Sequence, residues 1–209
     1  MVQTVYAREI SLYELEENFH VQLVEDPFVT EWLQDLPSST EHETQTLERI
    51  RSNYQNLIRY RSMSEEAVKM VVLSPLLDLA GFYQPPFAIE TETSIKVTAE
   101  DEGVEVKGNI DVLVVHQRFW LLVVESKGTR LDVMIALPQA LAHMLAHPIH
   151  DQPTYGLLVN GREFVFVKLT YQGKIPKYSV FQAFSLLKPE SDLHSVLHIF
   201  RRIAISIAT

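Results

Sequence analysis

Asp111, Glu125 and Lys127 stand in the most apolar stretch of this 209-residue chain. Asp111 closes the run Gly108-Asn109-Ile110-Asp111, and thirteen residues later comes Glu125-Ser126-Lys127. Residues 112–115 and 121–124, which lie between, are all Val or Leu, the composition of central strands covered on both faces. An unpaired ion in such a strand costs several kcal/mol to desolvate, so something must offset that cost. Two carboxylates set side by side repel unless a cation lies between them. Oxygen donors without Cys or His suit a hard cation such as Mg²⁺ or Mn²⁺. Lys127 would then hold an attacking water or a phosphate oxygen. A structural ion pair between Lys127 and Asp111 or Glu125 is the competing reading, since such networks also occur in strands.

Whether the three side chains meet depends on register. With a three-residue loop over Gln117–Phe119, Asp111 lies opposite Glu125 and Asn109 opposite Lys127, so all the charged side chains share one face. A two-residue loop shifts the pairing by one and sends Asp111 and Glu125 to opposite faces. A shared site therefore requires an odd-sized loop or a bulge.

The surrounding pattern gives the elements that hold these residues. Phe87, Ile89, Thr91, Thr93, Ile95 and Val97 alternate with polar residues as in a strand, and Glu100-Asp101-Glu102-Gly103 makes a turn into the next. Residues 104–116 and 119–127 form two further strands around Gln117-Arg118. Before them, Ser64 is a good N-cap for a helix that runs to Gly81, with Pro75 expected to kink it or mark a boundary. After them, Val133, Ala136, Leu137, Ala140, Leu141 and Met144 have helical spacing, with Pro138 as an expected kink. A hairpin around Asn160-Gly161, a strand near residues 178–184 and a helix from about Ser191 to Ile207 complete the chain. This order predicts an α/β layered domain with a mixed sheet. Residues 1–62 read as an acidic, mostly helical arm packed on a core domain of residues 63–209, broken at Pro37-Ser38.

The net charge of −9 is unevenly spread. Residues 1–48 hold eleven acids and one base, so the remainder is close to neutral and can still grip phosphate through a local basic rim. The absence of cysteine excludes a disulfide scaffold, a thiolate zinc site and a cysteine nucleophile. The longest apolar run is six residues, Phe119 to Val124, so no membrane span is expected. The N-terminus lacks the basic and apolar regions of a signal peptide, which leads to an expectation of a cytoplasmic protein.

Taken together, these residues resemble the PD-(D/E)xK nuclease superfamily over roughly residues 64–185. Members carry an acid on a first helix, Asp and then Glu-x-Lys on a three-stranded antiparallel meander, then a helix and further strands. The helix from Glu65-Glu66 through Ser74-Pro75-Leu76-Leu77 to Gly81-Phe82 is similar to the N-terminal nuclease region of type I restriction enzyme R subunits. Gln139-Ala140-Leu141-Ala142-His143 stands where that group has Gln-x-x-x-Tyr, so His143 replaces the Tyr, and Ile110 replaces the Pro before Asp111. The chain as a whole is similar to small stand-alone cyanobacterial proteins labelled restriction endonuclease subunit R. It has no Gly-x-x-x-x-Gly-Lys-Ser/Thr loop and hence no ATPase motor.

The resemblance implies a restriction-endonuclease-like core and Mg²⁺- or Mn²⁺-dependent hydrolysis of DNA phosphodiester bonds. Asp111, Glu125, Glu65 and the carbonyl of Ser126 would hold the metal. Lys127 would orient water, and Gln139 would orient Lys127 or the DNA backbone. Glu65 is preferred to Glu66 because it precedes Val68 and Val72 by three and seven residues, on the core-facing stripe. A homodimer and restriction-system subunits are the expected partners beside DNA. The alternative is a catalytically silent nuclease-fold module for nucleic-acid binding or protein assembly.

Other candidates are weaker. His143, His147 and His150 have near-helical ligand spacing, but no matching acid follows, and they read as surface or cap histidines rather than a zinc site. No Gly-x-Ser-x-Gly elbow supports a serine hydrolase. Phe82, Tyr83 and Phe87 read as a cluster at the edge of the core rather than a base-stacking platform.

Overall fold

The computed structural model describes residues 3–26, 28–34, 39–99, 103–117, 119–188 and 192–206. Several landmarks of the sequence fall outside these residues: Pro37-Ser38, the Glu100–Glu102 turn, Arg118, Ser191 and Ile207. The first 62 residues form β1 (Gln3–Tyr6), α1 (Leu12–Phe19), β2 (Gln22–Leu23), α2 (Phe28–Trp32) and α3 (Glu41–Ile58). Capping boxes start α1 at Ser11 and α3 at Thr40. The mostly helical reading of this segment is corrected at β1 and β2, which join the main sheet at its two ends. Strands of four and two residues are too short to display a period.

One long helical stretch follows, made of α4 (Glu65–Val68), a π turn (Lys69–Leu73) and α5 (Ser74–Leu79). A proline inside an α-helix clashes with the carbonyl four residues back. Here the helix widens just before Pro75, and the Ser74 N–H bonds to the Lys69 carbonyl five residues back. The boundary expected at Pro75 is therefore a π turn, a feature often found at functional sites.

The meander comes next, with β3 (Phe87–Thr98), β4 (Val104–His116) and β5 (Phe119–Ser126) all antiparallel. A 3₁₀ turn (Val133–Ala136), capped by Asp132, leads into α6 (Leu137–Leu145). Pro138 lies in the first turn of α6, where its missing N–H costs nothing, so it starts the helix instead of kinking it. α6 crosses back to β6 (Thr154–Val159), which runs parallel to β5. β7 (Glu163–Gln172), β8 (Ile175–Val180), β9 (Phe184–Ser185) and α7 (Leu193–Ile205) end the chain. The β6–β7 turn matches its Asn-Gly signal: the Asn160 side chain accepts from the N–H groups of Arg162 and Glu163, and Gly161 takes φ +85°.

The result is a mixed α/β fold around a nine-stranded sheet with the order β1-β4-β5-β6-β7-β8-β2, β3 pairing with β4 and β9 with β7. One core packs Tyr54, Val72, Leu76 and Phe200 of α3, the π turn, α5 and α7 against Val112, Val124 and Leu157. The other packs Leu15 of α1 and Leu141 and Met144 of α6 against Leu113, Val123 and Leu158. Every residue of β6 is buried, as a strand covered on both faces requires. Residues from the first 62 lie in both cores.

Candidate active site

The site forms where the edge of β4 is left unpaired. β1 pairs with β4 from Val104 to Lys107, and β5 takes over from Val112 to His116. Between them lies Gly108-Asn109-Ile110-Asp111. The β4–β5 connection has two residues, since His116 pairs with Phe119, which taken alone would part Asp111 from Glu125. A β-bulge corrects it. Val115 pairs with Trp120 but Val114 with Leu122, so Leu121 is the extra residue. From there Leu113 faces Val123 and Val112 faces Val124, where the pairing ends, and Asp111, the next residue of β4, is met by the Ser126 N–H. The face of β4 also changes here. Val106 and Ile110 belong to the α6-side core, whereas Val112 and Val114 belong to the opposite one. Across from this switch Glu92 of β3 takes φ +53°.

Glu65 and Lys69, one turn apart, reach this point from the helical stretch, while Glu66 is exposed. The Ser126 N–H donates to Asp111 Oδ2 at 2.7 Å. Lys69 Nζ lies 3.7 Å from Asp111 Oδ1 and 3.4 Å from Glu92 Oε1. Glu65 is hydrogen-bonded to Asp111, and burial together with that neighbouring acid pushes its pKa from 4.5 to about 7. Glu65 is therefore partly protonated near neutrality unless a cation relieves the repulsion.

On the α6 side, Lys127 has its backbone fixed by the Val159 carbonyl at 2.8 Å, and its Nζ donates to Gln139 Oε1 at 3.2 Å. Glu125 is 0% exposed and pairs through Oε1 with Nδ1 of His143, itself 0% exposed. Among the described residues Glu125 Oε2, the Ser126 hydroxyl and His143 Nε2 have no hydrogen-bond partner. Burial raises the Glu125 pKa, and His143 opposes that rise.

The structure thus brings Asp111 to Glu65 and Ser126, and Lys127 to Gln139, while Glu125 turns to His143. Among the described residues no three His, Asp or Glu side chains close on one point to hold a metal by themselves. The histidine reading is corrected. His143 and His147 are buried, and the three rings part company: His147 Nε2 accepts from the Trp120 N–H, and His150 stacks on Tyr171 at 4.0 Å. Two contributors, Lys69 and Glu92, escape the sequence reading, whereas His143 stands there in the place of the motif Tyr without a contact assigned to it. Lys69 stands four residues after Glu65, so helical spacing could have found it. Glu92 has no signal, because its role comes from its place opposite Asp111. A cleft of about 810 Å³ opens over the unpaired edge, lined by Arg8, Lys96, Lys107, Asn109, Asp111 and Gln139 among others. Its two lysines both pair with Glu105. Of the aromatic cluster expected at the core edge, Phe82 lies fully inside the core and meets Phe87 edge-on at 5.3 Å, while Tyr83 is exposed.

No family model and no curated protein match the chain. Among solved structures it is similar to a fragment assigned as the HsdR subunit of a type I restriction enzyme from Vibrio vulnificus YJ016. The match has 19% identity and a TM-score of 0.40, and it covers 50% of this chain and 21% of that one. Among the described residues no helix is long and apolar enough to cross a membrane.

Proposed function

We propose that this chain is a PD-(D/E)xK-type endonuclease that hydrolyses DNA phosphodiester bonds with Mg²⁺ or Mn²⁺. The observation that carries this reading is the convergence of the Glu65–Asp111 carboxyl pair with Lys127 at an interrupted strand edge that opens on a cleft. Asp111 raises the cost of ionising Glu65, and a divalent cation would relieve that repulsion. The donors are oxygens without any sulfur, the chemistry of a hard cation, and Glu125 Oε2, which lies apart from the Glu65–Asp111 pair, would add a third carboxylate only by closing on that pair when the ion binds.

Asp111, Glu65, Glu125 through Oε2 and the Ser126 carbonyl would hold the ion, and the Ser126 N–H keeps Asp111 oriented. A bound ion would supply a water of lowered pKa and a counter-charge for the phosphate. Gln139 steers Lys127, whose ammonium would hold the attacking water in line and offset the charge that grows on the phosphoryl oxygens. Arg8, Asn109 and the two cleft lysines would bind the DNA backbone. This reading also expects restriction-system subunits and a second copy of the chain as partners, in the cytoplasm.

One observation favours a second reading, a catalytically silent module for nucleic-acid binding or assembly: Glu125 is bonded to His143 and lies apart from the Glu65–Asp111 pair. Plasmid nicking in Mg²⁺ or Mn²⁺ separates the two. The proposal expects nicking by the wild type and none by Asp111→Ala purified in parallel. Equal nicking by both would assign the activity to a contaminant. No nicking by either, with no Mn²⁺ bound, would leave the silent module standing.

A further inference from the structure

Glu125 and His143 face each other across the β5–α6 packing with one atom of each engaged and one left over. Buried polar groups are almost always satisfied, so two leftover atoms in one fully buried pair need a reason. A pair kept for stability alone would be replaced at little cost by packed apolar side chains. The far side of the His143 ring supplies a second observation. Gly108 of β4 passes so close that a Cβ there would stand 2.7 Å from His143 Nε2 and 2.7 Å from the Ala7 Cβ. Glycine inside a strand weakens it and marks a close approach of something else. Here that something is the imidazole, wedged between Gly108 and Glu125 with no room to swing off the carboxylate. A glutamate has three side-chain torsions, and the wedge removes their freedom by fixing Oε1.

We propose that His143, backed by Gly108, is a positioning residue for Glu125: it anchors Oε1 so that Oε2 alone is presented to a divalent cation. This rests on the metal-dependent reading above. Partners of this kind, which orient a metal ligand without touching the metal, typically contribute 10- to 100-fold to affinity. His143 therefore takes on a task in this chain beyond filling the place of the Tyr to which the sequence resemblance pointed.

The test is Mn²⁺ binding by the full chain without DNA, followed through the electron paramagnetic resonance signal of free Mn²⁺. His143→Phe should lower affinity about 10- to 100-fold. Gly108→Ala should lower it in the same direction, because the methyl group displaces a ring that is still present. His143→Gln, whose amide N–H can reach Oε1, should recover part of the loss. In a Glu125→Gln background His143→Phe should have no further effect. A merely structural role would lower the melting temperature in chelator and leave Mn²⁺ affinity and the Gln rescue unmoved. Folded His143→Phe and Gly108→Ala proteins with wild-type affinity would overturn the proposal while leaving the metal site intact. A wild type that binds no Mn²⁺ would overturn the metal reading itself. If His143→Phe does not fold, Gly108→Ala and His143→Gln decide the matter by the same readout.

Discussion

His147→Leu probes the device that sets the register of the site. β6 first pairs with β5 at Leu122, so the N–H of Trp120, two residues earlier, lies beyond its reach. His147 Nε2 accepts that N–H at 3.1 Å, which pins β5 where the bulge begins. Leucine fills similar space but accepts nothing. Leaving a buried donor unpaired costs about 1–3 kcal/mol, and since Trp120 is half-buried and water can replace part of the bond, about 1–2 is expected. In a domain of this size that lowers Tm by roughly 2–8 °C. The loss should depend on pH. His147 is 2% exposed, and burial holds its pKa below 6.5, with His150 lowering it slightly and Asp151 and a backbone bond at Ile149 opposing. The fold keeps the ring neutral, while the unfolded chain takes up a proton near 6.5. Below that value the unfolded state binds more protons, so the wild type loses stability on acidification by up to about 1.4 kcal/mol per pH unit. The variant lacks this term, so the gap between the two proteins should be full at pH 8 and shrink between pH 7 and 5.5. Urea unfolding followed by tryptophan fluorescence reads both effects, since Trp120 lies 5.6 Å from the His147 ring. A variant as stable as the wild type at pH 8, or a gap that does not change with pH, would refute the reasoning.

Lys127→Ala should abolish nicking while leaving the circular dichroism spectrum and melting temperature close to wild type, since its side chain is half-buried and bonds only to Gln139 among the contacts described. A folded variant that nicks at the wild-type rate removes Lys127 from the chemistry. Asp111→Ala should weaken Mn²⁺ binding in titration calorimetry and, in chelator, lower the Glu65 pKa part of the way, because burial, the larger cause of the rise, remains while the neighbouring acid is gone. Unchanged Mn²⁺ affinity removes Asp111 from the ligand set. Glu105→Gln should release Lys96 and Lys107 into the cleft. DNA affinity measured by fluorescence anisotropy should then rise, and the salt dependence should steepen by roughly 0.9 per added phosphate contact. An unchanged salt slope would place the DNA path elsewhere.

The acids and the lysine were legible in the sequence because charge inside a Val/Leu run is costly and therefore conspicuous. The meander was legible because β3 alternates cleanly and β4 and β5 each carry a run of four Val or Leu residues. The partners of those charges were less so. Two registers are open in the sequence, and the bulge that decides between them falls at Leu121, a residue without any local mark, next to a Trp120 N–H held by His147 twenty-seven positions away. Spacing reads His143 as a surface or cap histidine and the resemblance puts it in the place of a Tyr, and only the fold shows that it lies against Glu125 of β5. Pro75 and Pro138 were visible as interruptions, yet the interruptions took the form of a π turn and a helix start. Periodicity says that a regular ladder of hydrogen bonds is broken, but not how the chain re-pairs it.

The N-terminal segment carries the last step. Its acidity suggested an arm laid on the outside, at odds with any grip on a polyanion. In the fold β1 pairs with β4 up to Lys107, and the Ala7 N–H continues to the Lys107 carbonyl at 2.8 Å. β1 therefore ends where the unpaired edge begins, and β5 resumes four residues later. The gap that leaves the backbone edge of Gly108 through Asp111 unpaired is bounded by these two strands, with Ala7 against Gly108 and Arg8 on the cleft wall. Had β5 gone on pairing with β4 beyond Val124, its backbone would have closed this edge. The segment that looks least suited to a phosphodiester site by composition is thus, by topology, one of the two strands that define where the site can be.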